Sequence, residues 1–145
     1  IFGELFTKVA IARFSRTLST LLSSGVPILD ALTIVQRASG NAVIAAAVNQ
    51  TIGSVSSGSG LAEVFQTKEV FPPMLVKMIA VGEQTGQLDK MLYKVADFYD
   101  ERVAAAIEGL TSMIEPLVIG ILGILIGGIV VALFMPIFKI TELIK

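Results

Sequence analysis

PLVIGILGILIGGIVVALFMPIF, the 23 residues from Pro116 to Phe138, contains no charged side chain. As an α-helix it is about 34 Å long, enough to cross a hydrocarbon core of about 30 Å. Leu117, Ile119, Ile121, Leu125, Val130 and Phe134 make it apolar on every face. A soluble domain of this size seldom holds an interior helix that is apolar all round for so many turns. The stretch therefore reads as one membrane span near the C-terminal end. The residues before it must be explained as something attached to that span.

The whole chain has 145 residues, about one domain. Hydrophobic residues make up 54% and charged residues 16%, and mean hydropathy is +0.81. Residues 1–115 are apolar enough for a core of their own. A net charge of −1 with no basic run offers no surface for nucleic acid and no grip on anionic lipid. Cysteine and histidine are absent, which excludes disulfides, leaves the redox compartment open, and removes the usual zinc ligands and any His-based triad. We expect no catalytic residue, no metal and no cofactor. The chain starts at Ile1 without a signal-peptide pattern, and we expect it to be a fragment of a longer protein.

Working outward from the span, the pattern is helical throughout, and no stretch alternates well enough for a strand. Leu5 to Leu22 forms a first helix whose dominant face is Phe6, Ala10, Phe14, Leu18, Leu21 and Leu22. Ser24-Gly25 ends it, with Gly25 suited to a left-handed position. Pro27 opens a second helix that runs to about Ala38. Asn41 caps a third, over Ala42 to Val55. Ser59 is placed to cap a short helix over Leu61 to Phe65, and Phe71-Pro72-Pro73 restarts the chain. Gly82 to Gly86 breaks the pattern. A long helix then begins near Gln87, burying Leu88, Leu92, Val95, Tyr99, Val103, Ala106 and Leu110. The expected fold is all-α: an antiparallel six-helix bundle (1–112), a transmembrane helix (113–138) and a short tail (139–145).

Several constellations invite a chemical reading. Ser56-Ser57-Gly58-Ser59-Gly60 is glycine-rich, but a phosphate loop ends in Gly-Lys-Ser/Thr and here Gly60 precedes Leu61. It reads as a linker. Asp97, Asp100, Glu101 and Glu108 line one helix among Lys94 and Arg102 and read as a solvated face. Glu83-Gln84-Thr85-Gly86 is a corner, in which Glu83 or Thr85 would accept bonds from the next helix. The Gly25-Pro27 segment is a second corner. Gly120, Gly123 and Gly127 share a stripe of the span and would let another helix approach. Glu115, at the membrane edge, can reach water.

Three of these segments together resemble the type II secretion F domain. Leu21 to Leu32 is similar to its opening, and Phe71-Pro72-Pro73-Met74 with Gly82 to Leu88 to its second signature. Glu115 to Phe138 is similar to its final span, above all in pilus assembly proteins of the PilC/GspF type. The resemblance implies the second copy of a six-helix cytoplasmic domain, followed by the last of three spans. It implies an inner-membrane platform, non-enzymatic and in contact with lipid. The platform would couple a cytoplasmic hexameric ATPase to the insertion or extraction of pilin subunits, with other inner-membrane assembly proteins and further copies of itself as partners.

On this basis Glu83, Gly86 and Leu88 are the first partner-contact candidates and Gly25 and Pro27 the second. The charge count fits the family's orientation poorly. Arg102 precedes the span, whereas Lys139 and Lys145 follow it, which favours a cytoplasmic C-terminus. The family places the bundle in the cytoplasm, and that orientation is the one we expect. Two other readings are a membrane-anchored adaptor of an archaeal pilus or archaellum, and a transport or channel component. A single span without internal polar groups makes a poor conduit.

Overall fold

The computed structural model describes residues 2–144. Six helices follow in chain order: α1 (Phe2–Ser23), α2 (Ile28–Ala38), α3 (Ala42–Ser56), α4 (Leu61–Gln66), α5 (Pro73–Thr85) and α6 (Leu88–Ile144). No strand occurs among the described residues, and the all-α expectation holds. The chain divides into two compact units, Ile1–Ala104 and Ala105–Lys145. Helix α6 continues past residues 112 and 138, so neither sequence-derived limit coincides with a helix end. Lys145, counted above for orientation, lies outside the described residues.

Local chemistry sets the ends of the helices. At the end of α1, Gly25 adopts φ 88°, a left-handed conformation that costs glycine little. Its N–H donates to the Leu22 carbonyl and that of Val26 to the Leu21 carbonyl, both at 3.1 Å. This paired closure satisfies carbonyls that the helix leaves open. Pro27 stands just before α2 rather than inside it, and its carbonyl accepts from the Ala31 N–H at 2.9 Å. Asn41 caps α3 as its sequence position predicts, accepting at Oδ1 from Val43 N (2.9 Å) and Ile44 N (3.2 Å).

In the first unit, fully buried Phe14, Leu18, Leu32, Val35, Ile44, Val48, Phe65, Leu75, Ile79, Leu92 and Val95 form one core. Phe65 stacks on Phe71 with ring centres 4.1 Å apart, and Phe14 leans on both at 5.8 and 5.5 Å. These rings tie α1 to α4 and to the segment leading into α5. The inward face of α1 is not the one expected. It consists of Ile11, Ala12, Phe14, Ser15, Leu18 and Ser19, whereas Phe6 is 66% exposed. A hydrophobicity-led reading discards serine, yet serine is small and can satisfy its hydroxyl inside a bundle. Ser19 Oγ does so by donating to the Asp89 carbonyl at 2.8 Å, whereas the buried Ser15 Oγ has no hydrogen-bond partner among the described residues and enters on size alone.

The start of α6 completes this core with Leu92, Val95, Ala96 and Tyr99. Leu88, Val103, Ala106 and Leu110, expected on the same buried face, are only half-buried. In the second unit every residue from Thr111 to Ile144 is exposed, including Ile124 at 78% and Leu125 at 57%. The best 18-residue window of α6 has mean hydropathy 3.0, and α6 is long and apolar enough to cross a membrane. Pro116 and Pro136 lie within it. Each removes one helical N–H, a defect that membrane helices tolerate.

Candidate functional site

The segment from Gly82 to Leu88 is built residue by residue for its place. Gly82 is not a break; it is buried within α5. A Cβ there would stand 2.7 Å from the Leu88 Cα, closer than real Cβ contacts come. Only glycine lets the start of α6 pass so close to the end of α5. Gly86 ends α5 with φ 70°, and its N–H and that of Gln87 both donate to the Gly82 carbonyl. The Thr85 hydroxyl donates to the Val81 carbonyl at 2.8 Å, so it serves its own helix rather than the next one.

Glu83 also departs from expectation. Its carboxylate reaches back to α4, accepting from Leu61 N at 2.5 Å and Ala62 N at 3.1 Å. Gly60 occupies the cap position of that helix and has no side chain to offer. Ser59 therefore does not cap α4. Glu83 caps it from another helix, meeting two of the N–H groups that a helix start leaves free and adding negative charge at the positive end of its dipole. The same contact ties the Ser57–Gly60 loop to the α5–α6 corner.

The two predicted corners share one end of the first unit. Helices α1 and α6 run antiparallel, because Ser19 bonds to Asp89 while Arg16, one turn earlier, reaches Asp97 and Asp100. The close of α1, with Gly25 and Pro27, thus lies beside the opening of α6, with Gly86 and Leu88. Gly25, Pro27, Glu83 and Gly86 are exposed and Leu88 is half-buried. An open groove of about 370 Å³ runs between these helices, lined by Ser19, Ser23, Asp89, Lys90, Tyr93 and Lys94.

The sequence reading missed Arg16. Its Nη2 lies 2.7 Å from Asp97 Oδ1 and 2.7 Å from Asp100 Oδ2, and its guanidinium sits 4.8 Å from the centre of the Tyr93 ring. Bonding to Asp97, and then to Asp100, raises the Arg16 pKa above the ordinary arginine value. Asp97 and Asp100 are therefore an anchor as well as a solvated face. Their i, i+3 spacing was visible, but nothing local pointed to a partner some eighty residues away. Among the described residues no group of three or more acidic, His or Cys side chains is arranged to hold a metal. Around Gly120, Gly123 and Gly127 nothing lies within 4 Å of where a Cβ would stand.

Residues 14–136, which include both corners and nearly all of the span, match the family described as Type II secretion system (T2SS), protein F. The chain belongs to that family. It is 46% identical over 145 residues to the Type IV pilus assembly protein PilC of Myxococcus xanthus, covering 100% of this chain and 35% of that protein. It is 49% identical over 141 residues to the PilC of Thermus thermophilus, covering 97% and 35% respectively. Against the Type II secretion system protein F of Pseudomonas aeruginosa it is 34% identical over 142 residues, covering 98% and 35%. The chain thus spans about a third of the length of these T2SS F relatives, and its membrane-length helix and both corners fall within the shared region.

Proposed function

We propose that this chain is the C-terminal copy of the cytoplasmic helical domain of an inner-membrane platform protein, with the membrane span that follows it. The platform would belong to a type IV pilus or type II secretion machine. The observation that carries this reading is chain-long similarity to pilus assembly proteins, combined with an apolar helix that has no protein cover. Residues 1–112 form the cytoplasmic part, 113–138 the span and 139–145 the tail. The platform has no catalytic chemistry of its own. It couples a cytoplasmic hexameric ATPase to the insertion or extraction of pilin subunits.

In this reading the ATPase meets the end of the bundle that presents Gly25, Pro27, Glu83, Gly86 and Leu88. Glu83 serves there mainly by holding α4, and its exposed neighbours make the contact. Gly120, Gly123 and Gly127 receive another membrane helix, from the same protein or from a second copy, since small residues allow close approach in lipid. The test is co-purification of the full-length protein with the assembly ATPase of its own system from detergent-solubilised membranes. Retention of the ATPase, and its loss when bulky residues replace Pro27 and Gln87 at the exposed corners, is the expected result. Failure of the intact protein to retain the ATPase, in detergent and after chemical cross-linking in cells, would refute the reading.

A further inference from the structure

Helix α6 is the part of the first unit that runs on into the apolar segment, and little polar contact holds it to the rest. Among the described residues two side-chain hydrogen-bonding points fasten it to α1: Ser19 on the Asp89 carbonyl, and Arg16 on Asp97 and Asp100. The Arg16 contact has the stronger geometry. One nitrogen bridges two carboxylates on successive turns of α6, each at 2.7 Å, while the guanidinium covers the Tyr93 ring one turn before Asp97. It therefore grips about two turns of α6 at once and resists both sliding and rotation of that helix against α1.

Stability alone is a weak reason for such a contact. The side chains are 36%, 51% and 56% exposed, and exposed ion pairs add little to folding free energy. A short-range, directional contact is nonetheless well suited to fixing the register of one helix against another. Side-chain packing of Leu92, Val95 and Tyr99 supplies the adhesion but is less directional.

We propose that Arg16 is a positioning residue for the platform's mechanical work, the pin through which displacement of the bundle is passed to α6. This rests on the platform reading above. The pin must hold rather than open, since α6 would otherwise turn or slide within its seat when loaded.

The experiment uses the full-length protein in cells that depend on it for filament assembly. Arg16→Met keeps the packing of the stem and removes the bridge, and Arg16→Lys restores charge to one carboxylate at a time. Asp97→Asn with Asp100→Asn removes the bridge from the other side. The expected result for Arg16→Met and for the double variant is at least a fivefold loss of assembled filament. Membrane level, thermal midpoint and ATPase co-purification should be close to those of the parent, with Arg16→Lys in between. Backbone hydrogen exchange should rise in residues 88–104 and not in α2 to α5.

Normal filament assembly in Arg16→Met would overturn the proposal. So would a loss matched by an equal loss of thermal stability and by raised exchange in every helix. If the parent protein itself does not retain the ATPase, the platform reading fails, a result separable from any effect at Arg16.

Discussion

If Glu83 caps α4 from another helix, one substitution should change sign with its background. Glu83→Ala removes the carboxylate from Leu61 N and Ala62 N and leaves both N–H groups to water. Loss of a side-chain cap costs about 0.5–2 kcal/mol. Two bonds to a single ionised group at an exposed site place this case at about 1–2 kcal/mol. For a unit of about a hundred residues, each kcal/mol moves the thermal midpoint by roughly 4–8 °C. A fall of roughly 4–16 °C is therefore expected.

Gly60 stands at the cap position with φ −69° and ψ 147°, the extended geometry of a capping residue. In the Glu83→Ala background, Gly60→Asp supplies the missing acceptor from the helix's own start and should recover a few tenths of a kcal/mol, about the margin of an aspartate cap over a glycine one. In the parent the same change is unfavourable. A Cβ at residue 60 would lie 3.7 and 3.9 Å from the two Glu83 oxygens, so a second carboxylate would meet the first at short range. Two like charges about 4 Å apart repel by about 1 kcal/mol even in water. The four proteins form a cycle with an expected coupling of about 1–1.5 kcal/mol, read from thermal unfolding in detergent by near-ultraviolet circular dichroism. If Gly60→Asp shifted both backgrounds equally, Glu83 would not be the cap of α4.

Three further outcomes follow from the same geometry. Gly82→Ala drives a Cβ against the Leu88 backbone, and the overpacking penalty of about 1–3 kcal/mol should exceed the helix-propensity gain of about 1 kcal/mol, so the thermal midpoint should fall. Asn41→Ala should lower stability by about 1 kcal/mol through loss of the α3 cap, and Asn41→Asp, measured in parallel, should not. Burial raises the Tyr99 pKa, against a smaller lowering by Arg102, so above about pH 10 the unfolded chain gives up the phenolic proton before the folded chain does. The unfolded state then binds fewer protons, and stability falls as pH rises through that window. Tyr99→Phe should flatten the alkaline fall in thermal midpoint and leave the difference from the parent constant below about pH 9.

What could be read in the sequence was local. Hydrophobic runs, Gly25, Asn41 and Pro73 mark positions whose conformation depends on a few neighbours, and six helices emerge, although α5 runs on through the expected break at Gly82 and α6 past both 112 and 138. The span needs only its own composition, because no tertiary contact decides whether it is apolar. The limits of inward faces were harder. Ser15 and Ser19 are buried on α1, and Ala96 on α6, since helix packing selects for size as much as for apolarity. Phe6 illustrates the converse: a large apolar residue of α1 that is left 66% exposed.

The corner Gly82 to Leu88 shows why the candidate site was only half legible. Its glycines could be assigned to a turn, and Gly86 indeed takes the left-handed conformation. The task of Gly82 depends on where Leu88 lies, and that of Glu83 on a helix that begins some twenty residues earlier. Neither partner leaves a mark in the local pattern. Arg16 with Asp97 and Asp100 is the same case at greater separation. In each pair one half looks generic alone: an acidic residue near a helix end, an arginine on a helix flank. Such halves gain meaning only when the fold closes them, and here they close where α6 joins the bundle. The residues that fix α6 in place are thus those that a one-dimensional reading is bound to treat as surface. Any account in which this helix carries motion must begin with them.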